Sequence, residues 1–254
     1  MSFENKVILI TGASVGVGRE TAIAFAREKA FVMINYSKSE KEAKETLEQV
    51  KAVGGDGIIV QADVSKEVEV RRMMDTCGPL HGGIDVLVNN AGITSFIPFK
   101  DLESATDAVW TKLYDVNVKG TFFCSREAAK WMKSRQSPCI VNVSSQSGMR
   151  AMGSSIPYSV SKAALIHLSE CLAVTLAPDI RVNCVAPGYI DQTRWNEGRE
   201  GFSPEKARAD AAKAIPVGRV AVPADIAAAI LFLATENNYC NGVTLPVDGG
   251  RVLV

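Results

Sequence analysis

The sequence predicts an α/β fold in which seven parallel strands form one doubly wound sheet with helices on both faces. Three observations carry that expectation. Seven short apolar runs are rich in Val and Ile, the pattern of strands buried on both faces. Longer segments with helical period separate them, so strand and helix alternate, and right-handed crossovers then put helices on each side of the sheet. No internal repeat, low-complexity tract or Pro/Gly-rich linker divides the chain, so residues 1–254 are expected to form a single domain.

Taken in order, Val7 to Thr11 is the first expected strand, and the glycines after it lead into a helix from Arg19 to Lys29. Phe31 to Asn35 and Gly57 to Gln61 are the second and third strands, on either side of a helical stretch from Ser39 to Val53. Glu67 to Cys77 is the next helix and Val86 to Asn89 the fourth strand. Thr106 to Lys133 reads as one helix-rich stretch leading to the fifth strand, Ile140 to Ser144. A helix from Pro157 to Thr175 precedes the sixth strand, Ile180 to Val185. Gln192 to Ala214 breaks the alternation: it is charged, contains Gly198 and Gly201, and restarts a helix at Ser203-Pro204 with Pro at the first helical position. Because it follows a strand end, it is expected to act as a substrate lid. A helix from Asp225 to Ala234 and a strand from Val243 to Val247 complete the chain.

Composition excludes several classes of function. Lys and Arg number 28, Asp and Glu 28, and no stretch concentrates the basic residues, so nucleic acid and anionic membrane surfaces are not expected partners. The N-terminus runs straight into Val7-Ile8-Leu9-Ile10 without a basic n-region or cleavage site, and the longest apolar run, Ile226 to Ala234, is too short to span a bilayer. Cys77, Cys124, Cys139, Cys171, Cys184 and Cys240 are scattered and form no C-x-x-C pair, which fits reduced thiols in a cytoplasmic protein. His81 and His167 are the two histidines and neither has metal-ligand spacing, so no metal site and no Ser-His-Asp triad is expected.

Gly12, Ser14, Val15, Gly16, Val17 and Gly18 belong to a turn between the first strand and the first helix. Missing side chains there let the backbone turn tightly and approach a pyrophosphate at the helix N-terminus, as a dinucleotide site requires. The spacing is G-x-x-x-G-x-G rather than G-x-G-x-x-G. About 20 residues further on, an acidic residue would bind the adenine ribose hydroxyls of NAD. Asn35-Tyr36-Ser37-Lys38 stands there instead, offering a 2′-phosphate hydroxyls and an ammonium through Tyr36, Ser37 and Lys38. NADP is therefore the expected cofactor, with NAD also possible.

Tyr158 and Lys162 lie one helical turn apart, with Ser144 and Ser145 thirteen to fourteen residues upstream at a strand end. A hydride moving to or from a carbonyl carbon needs a proton moved at the oxygen, and a phenol suits that task only if its pKa falls from about 10. The Lys162 ammonium is expected to supply the shift by attraction. A serine hydroxyl after the strand can face the oxygen where negative charge develops, and Ser144 competes with Ser145 for that place.

These residues, together with Asp63-Val64, Asn89-Asn90-Ala91-Gly92, Asn117, Pro187-Gly188 and Val247-Asp248-Gly249-Gly250, appear in the order and spacing of the short-chain dehydrogenase/reductase family, which the chain resembles from Lys6 to Gly250. The resemblance implies a Rossmann fold. It implies that Ser145 holds the substrate oxygen, that Tyr158 is the acid/base, and that Lys162 also bonds the nicotinamide ribose. It further implies that Asn117 holds a water relaying protons to the lysine. Asp63 and Val64 are implied to border the adenine, Asn90, Ala91 and Gly92 the adenosine ribose, and Pro187, Gly188 and Ile190 the nicotinamide. The family usually has Thr where Gln192 stands, with Thr193 following here, which leaves one carboxamide contact open.

The expected activity is reduction of a ketone or a 3-oxoacyl thioester. The alternatives are oxidation of a sugar or polyol, as in glucose 1-dehydrogenases, and a non-catalytic dinucleotide-binding regulator. Intact Tyr158, Lys162 and Ser145 argue against the regulator. Specificity is expected to lie in residues 192–214 and in residues 147–157, where Met149, Met152 and Ile156 offer an apolar wall and Arg150 either pairs with an anionic group or faces water. By resemblance, the protein is expected to form a homotetramer.

Overall fold

The apolar runs become the strands β1 (Val7–Ile10), β2 (Phe31–Tyr36), β3 (Asp56–Gln61), β4 (Val86–Asn89), β5 (Cys139–Val143), β6 (Arg181–Pro187) and β7 (Thr244–Val247). The structure is a computed structural model that describes residues 3–193, 195, 203–235 and 239–254. The strands form one sheet in the order β3-β2-β1-β4-β5-β6-β7, every pairing parallel. The order reverses between β1 and β4, and a ligand crevice is expected at the strands' carboxyl ends there.

The helices are α1 (Gly16–Arg27), α2 (Glu40–Ala52), α3 (Glu67–Cys77), α4 (Asp107–Tyr114), α5 (Thr121–Met132), α6 (Ile156–Leu176), α7 (Pro204–Ala214) and α8 (Pro223–Ala234). They divide the core in two. Ile8, Ile10, Val32, Ile34, Val86 and Val88 face one cluster with Phe25 of α1 and Ile230 of α8. Val7, Leu9, Met33, Leu87 and Ile140 face the other, with Met73 and Met74 of α3 and Met132 of α5. Successive strand residues point to opposite faces, so covering both faces makes these runs predominantly apolar.

Two differences from the sequence reading bear on the site. The stretch from Thr106 to Lys133 is not one regular helix: α4 and α5 are joined by a π-helical segment, Asp115–Gly120. Its buried Asn117 accepts a hydrogen bond from the Ile93 N–H at 2.9 Å and donates to the Ile93 carbonyl and the Ser161 hydroxyl. These bonds hold the side chain inward where the wider turn presents it. The second difference is α6, whose 21 residues and mean hydropathy of 1.2 would let it cross a membrane by length and composition alone. It lies along β6 instead and buries Tyr158, Lys162 and Leu165.

Polar groups inside the sheet were not anticipated from the sequence. Asp85, 3 % exposed, accepts from the Val7 N–H at 2.8 Å and takes a two-pronged bond from Arg135 at 3.0 and 2.6 Å. Asn89 donates to Asn142 and Ser125, and Asn142 donates to Ser169, tying β4 and β5 to α5 and α6. Each lone polar residue in an apolar run is silent by itself and finds its partners far away in the chain.

Candidate active site

Gly12 and Gly16 both have φ near +60°, a region other residues avoid. At Gly12 a Cβ would also come within 2.9 Å of the Ala91 Cα, so the first turn lies directly on the loop after β4. Side chains lock this contact: Asn90 donates to the Thr11 and Gly12 carbonyls at 2.9 and 3.0 Å, and the Thr11 hydroxyl accepts from the Asn90 and Ala91 N–H groups. A Cβ on Gly18 would meet the Asn90 amide and the Gly12 carbonyl at 2.6 Å. Helix α1 has Val15 as N-cap with no side-chain cap, and no acid in its first turn. Its N–H groups and positive dipole end therefore suit an anionic phosphate, and the residues present fit a dinucleotide.

The other expected cofactor residues fall around the same crevice with distinct roles. Val17 packs into the core beneath α1. Ser14 is buried, and its carbonyl accepts from Arg19 and Thr46. Tyr36 ends β2 buried, with burial and then the Glu40 carboxylate holding its phenol above the ordinary range. Glu40 is itself paired with Lys44 at 2.7 Å. Ser37 and Lys38 are exposed beyond it. Asp63 accepts from the Ser65 N–H and hydroxyl, while Val64 is buried beside the would-be Cβ of Gly120, 2.9 Å from its Cγ2. Pro187 pairs with Val247, the Gly188 N–H donates to the Val247 carbonyl at 3.0 Å, and a Cβ on Gly188 would be 2.9 Å from Asp248. Ile190 forms an isolated parallel bridge to Ala221. Gln192 adopts φ 57°, and Thr193 after it stands opposite Gly16, its Cγ2 3.7 Å from a would-be Cβ there. A left-handed turn at Gln192 thus brings the displaced threonine to the glycine turn.

The four candidate catalytic side chains converge at the carboxyl ends of β4 and β5. Ser155 caps α6, its hydroxyl accepting from the Tyr158 N–H, and Pro157 sits in the first turn where no N–H is needed. Tyr158 is 7 % exposed and Lys162 3 % exposed. The Lys162 ammonium donates to the Val143 carbonyl at 2.9 Å and lies 5.8 Å from the Tyr158 ring centroid. A Cβ on Gly92 would come within 3.3 Å of that ammonium and 3.4 Å of the Asn117 amide oxygen, so Gly92 leaves room beside both buried groups. Ser145 follows β5 with its hydroxyl donating to Ser147 at 3.2 Å and accepting from the Ser147 N–H, while the Ser144 hydroxyl is turned back onto the Lys162 carbonyl at 2.8 Å. Ser144 is thus occupied by the backbone of α6, whereas Ser145 lies within reach of the Tyr158 phenol.

Burial pushes the Tyr158 phenol up to about 12, and its interaction with Ser145 opposes the rise. Burial likewise pushes Lys162 down to about 8. Desolvation of two enclosed groups outweighs their attraction while the ammonium points at a backbone carbonyl. Arg150 is also accounted for: its guanidinium donates to the Arg251 and Val252 carbonyls at 3.4 and 3.1 Å, gripping the C-terminal segment.

The sequence reading placed specificity in residues 192–214 without singling out Trp195, whose indole lies 5.6 Å from the Tyr158 ring, centroid to centroid. Only its place in a charged segment after β6 could have hinted at this. Of the expected lid, α7 begins at Ser203-Pro204 as anticipated, and residues 194 and 196–202 lie outside the described residues. A surface cavity lined by Ser65, Asp107, Thr111, Lys112, Asp115 and Val116 opens beside Asp63-Val64, away from the phenol.

The family described as enoyl-(acyl carrier protein) reductase matches residues 12–251. The "granaticin polyketide synthase putative ketoacyl reductase 2" of Streptomyces violaceoruber is 39 % identical over 253 residues, 99 % of this chain and 98 % of the relative. Glucose 1-dehydrogenase 2 of Bacillus subtilis is 36 % identical over 251 residues, 98 % and 95 % of the two chains. The crystal structure of levodione reductase superimposes with a TM-score of 0.92 at 30 % identity, covering 99 % of each chain.

Proposed function

The chain belongs to the short-chain dehydrogenase/reductase family and is an oxidoreductase, and from that premise we propose that it reduces a ketone or 3-oxoacyl thioester with NADP(H), NAD(H) serving less well. The observation that carries this reading is the buried group of Tyr158, Ser145 and Lys162 facing a glycine-lined crevice at the sheet's carboxyl ends. The cofactor, when bound, supplies or accepts the hydride. Tyr158 gives its phenolic proton to the carbonyl oxygen during reduction and takes it back during oxidation. Ser145 turns its hydroxyl from Ser147 to the same oxygen and stabilises the developing charge. Lys162, reachable past Gly92, bonds the nicotinamide ribose and favours the phenolate once its ammonium leaves the Val143 carbonyl. Asn117 donates both amide hydrogens and accepts the Ile93 N–H, which fixes its side chain and leaves its oxygen a second acceptor site for a water that relays protons to Lys162.

The cofactor preference is supported by the exposed Ser37 and Lys38 after β2 and by the pairing of Glu40, the carboxylate acting on Tyr36, with Lys44. Reduction of a ketoacyl group is supported by the ketoacyl reductase relative and the enoyl reductase family description. Sugar or polyol oxidation is the second reading, favoured by the glucose 1-dehydrogenase relative. The free cysteines fit a cytoplasmic location, and residues 192–214 are read as the cover over the substrate in a single catalytic domain. Initial rates with NADPH and NADH on 3-oxoacyl thioesters, simple ketones and glucose in both directions test all of this. NADPH is expected to give at least a roughly tenfold higher kcat/KM than NADH from one added charge-assisted contact, and strict NADH dependence overturns the reading of Ser37 and Lys38.

A homotetramer is the proposed assembly. Tyr114 and Phe122 flanking the π segment, Val160 and Val174 on α6, and Leu253 near the C-terminus are exposed apolar side chains of the kind such interfaces cover. Light scattering is expected to return four times the 27.2 kDa chain mass, and a monomer at working concentration removes the claim.

A further inference from the structure

The surroundings of the phenol narrow the substrate class. Trp195 and Tyr158 have ring planes inclined at 60° with centroids 5.6 Å apart, a favourable aromatic contact. The indole is still 39 % exposed, so one surface of a large apolar group faces outward beside the proposed acid. The polar side chains nearby are largely spent within the protein. Ser144 bonds the Lys162 carbonyl, Ser159 the Ser147 and Met152 carbonyls, Ser155 the Tyr158 N–H, and Thr94 and Ser154 each other. Among the buried acceptors without a partner is the Gln146 side-chain oxygen, 3.4 Å from a would-be Cβ on Gly188. A polyol bound here would leave hydroxyls unsatisfied, which weakens binding sharply, whereas an apolar ring meets a surface of its own kind.

We infer that the substrate is a ketone whose carbonyl belongs to, or is attached to, an apolar alicyclic or aromatic ring, and that Trp195 is the specificity-determining side chain receiving that ring. The inference rests on the hydride-transfer reading above. The step balances as hydride from NADPH to the carbonyl carbon and proton from Tyr158 to the oxygen, giving a secondary alcohol and NADP.

The test compares wild type, Trp195→Ala and Trp195→Phe with NADPH on cyclohexanone and acetophenone against open-chain 2-butanone. The wild type is expected to favour the cyclic and aryl ketones by about tenfold in kcat/KM. Trp195→Ala is expected to bring that ratio near unity with the KM for NADPH unchanged, and Trp195→Phe to restore most of it. Equal rates on all three ketones in the wild type, or a loss in Trp195→Ala that strikes all three alike, overturns the assignment. A second readout does not need turnover: cyclohexanol added to the protein–NADP complex is expected to change tryptophan fluorescence saturably. Trp195→Phe should abolish that change, since the chain's other two tryptophans, Trp110 and Trp131, remain in the variant. Saturable binding with no turnover on any ketone sinks the hydride-transfer reading and keeps the ring site. Absence of any Trp195-dependent change sinks the ring site.

Discussion

Replacing Tyr158 with Phe is expected to lower kcat by roughly two to four orders of magnitude, the range typical of a lost general acid, while the protein folds and binds NADPH normally. The substitution keeps the ring and its 5.6 Å contact with Trp195. The Ser145 hydroxyl loses one partner but still accepts from the Ser147 N–H at 3.1 Å and bonds its hydroxyl at 3.2 Å, so no buried group is orphaned. Stability should therefore fall by no more than about 1 kcal/mol, the worth of one neutral hydrogen bond. Equal losses in kcat and kcat/KM identify an interaction made in the transition state. Turnover within about threefold of wild type would remove Tyr158 from the proton-transfer step, since loss of a true general acid costs at least about a hundredfold.

Lys162→Met is the second large effect, and it sets activity against stability. Activity is expected to fall by about a hundredfold or more through the loss of the charge that favours the phenolate. Stability should move the other way at neutral pH. Burial lowers the folded-state pKa of Lys162 from its ordinary 10.5 to about 8, so the folded chain carries a desolvation cost whenever the lysine is charged. That cost is fully present below pH 8. As pH rises from 8 toward 10.5, the unfolded chain holds a proton that the folded chain has lost, and stability of the wild type climbs. The full depression corresponds to about 3 kcal/mol, offset in part because the Val143 carbonyl loses its donor in the variant. Urea midpoints at pH 7.5 and pH 9.5 should show the advantage of Lys162→Met shrinking with pH. A constant difference would mean that the lysine is not held in a desolvated state. Above pH 10 the raised Tyr158 acts in the opposite sense, because the folded chain then retains a proton the unfolded chain gives up.

Much of this protein was legible along the chain. Parallel strands covered on both faces leave the same mark at every position, which is why β3 and β4 were located within a residue of their ends. Helix α3 matches its expected span of Glu67 to Cys77. The glycine turn could be read because positive φ and close backbone approach both demand the absence of Cβ, as Gly12 shows. The π segment could not, since its cause is a hydrogen-bond set joining Asn117 to Ile93 and Ser161, which are 24 and 44 residues away. Within the segment expected to carry specificity, Trp195 could not be singled out for the same reason: a single aromatic residue has no period, and its neighbour Tyr158 is far off in sequence.

By itself the amino-acid sequence determined the layered α/β architecture and the order of its landmarks, because burial periodicity and glycine stereochemistry act over a few neighbouring residues. Tertiary structure alone decided the state of the site: that Ser144 is occupied by the backbone of α6 whereas Ser145 lies within reach of the phenol, that burial holds Tyr158 up and Lys162 down, and that an indole borders them. Those outcomes depend on solvent exclusion and on contacts between distant segments, and these physical quantities exist only once the chain has closed around them.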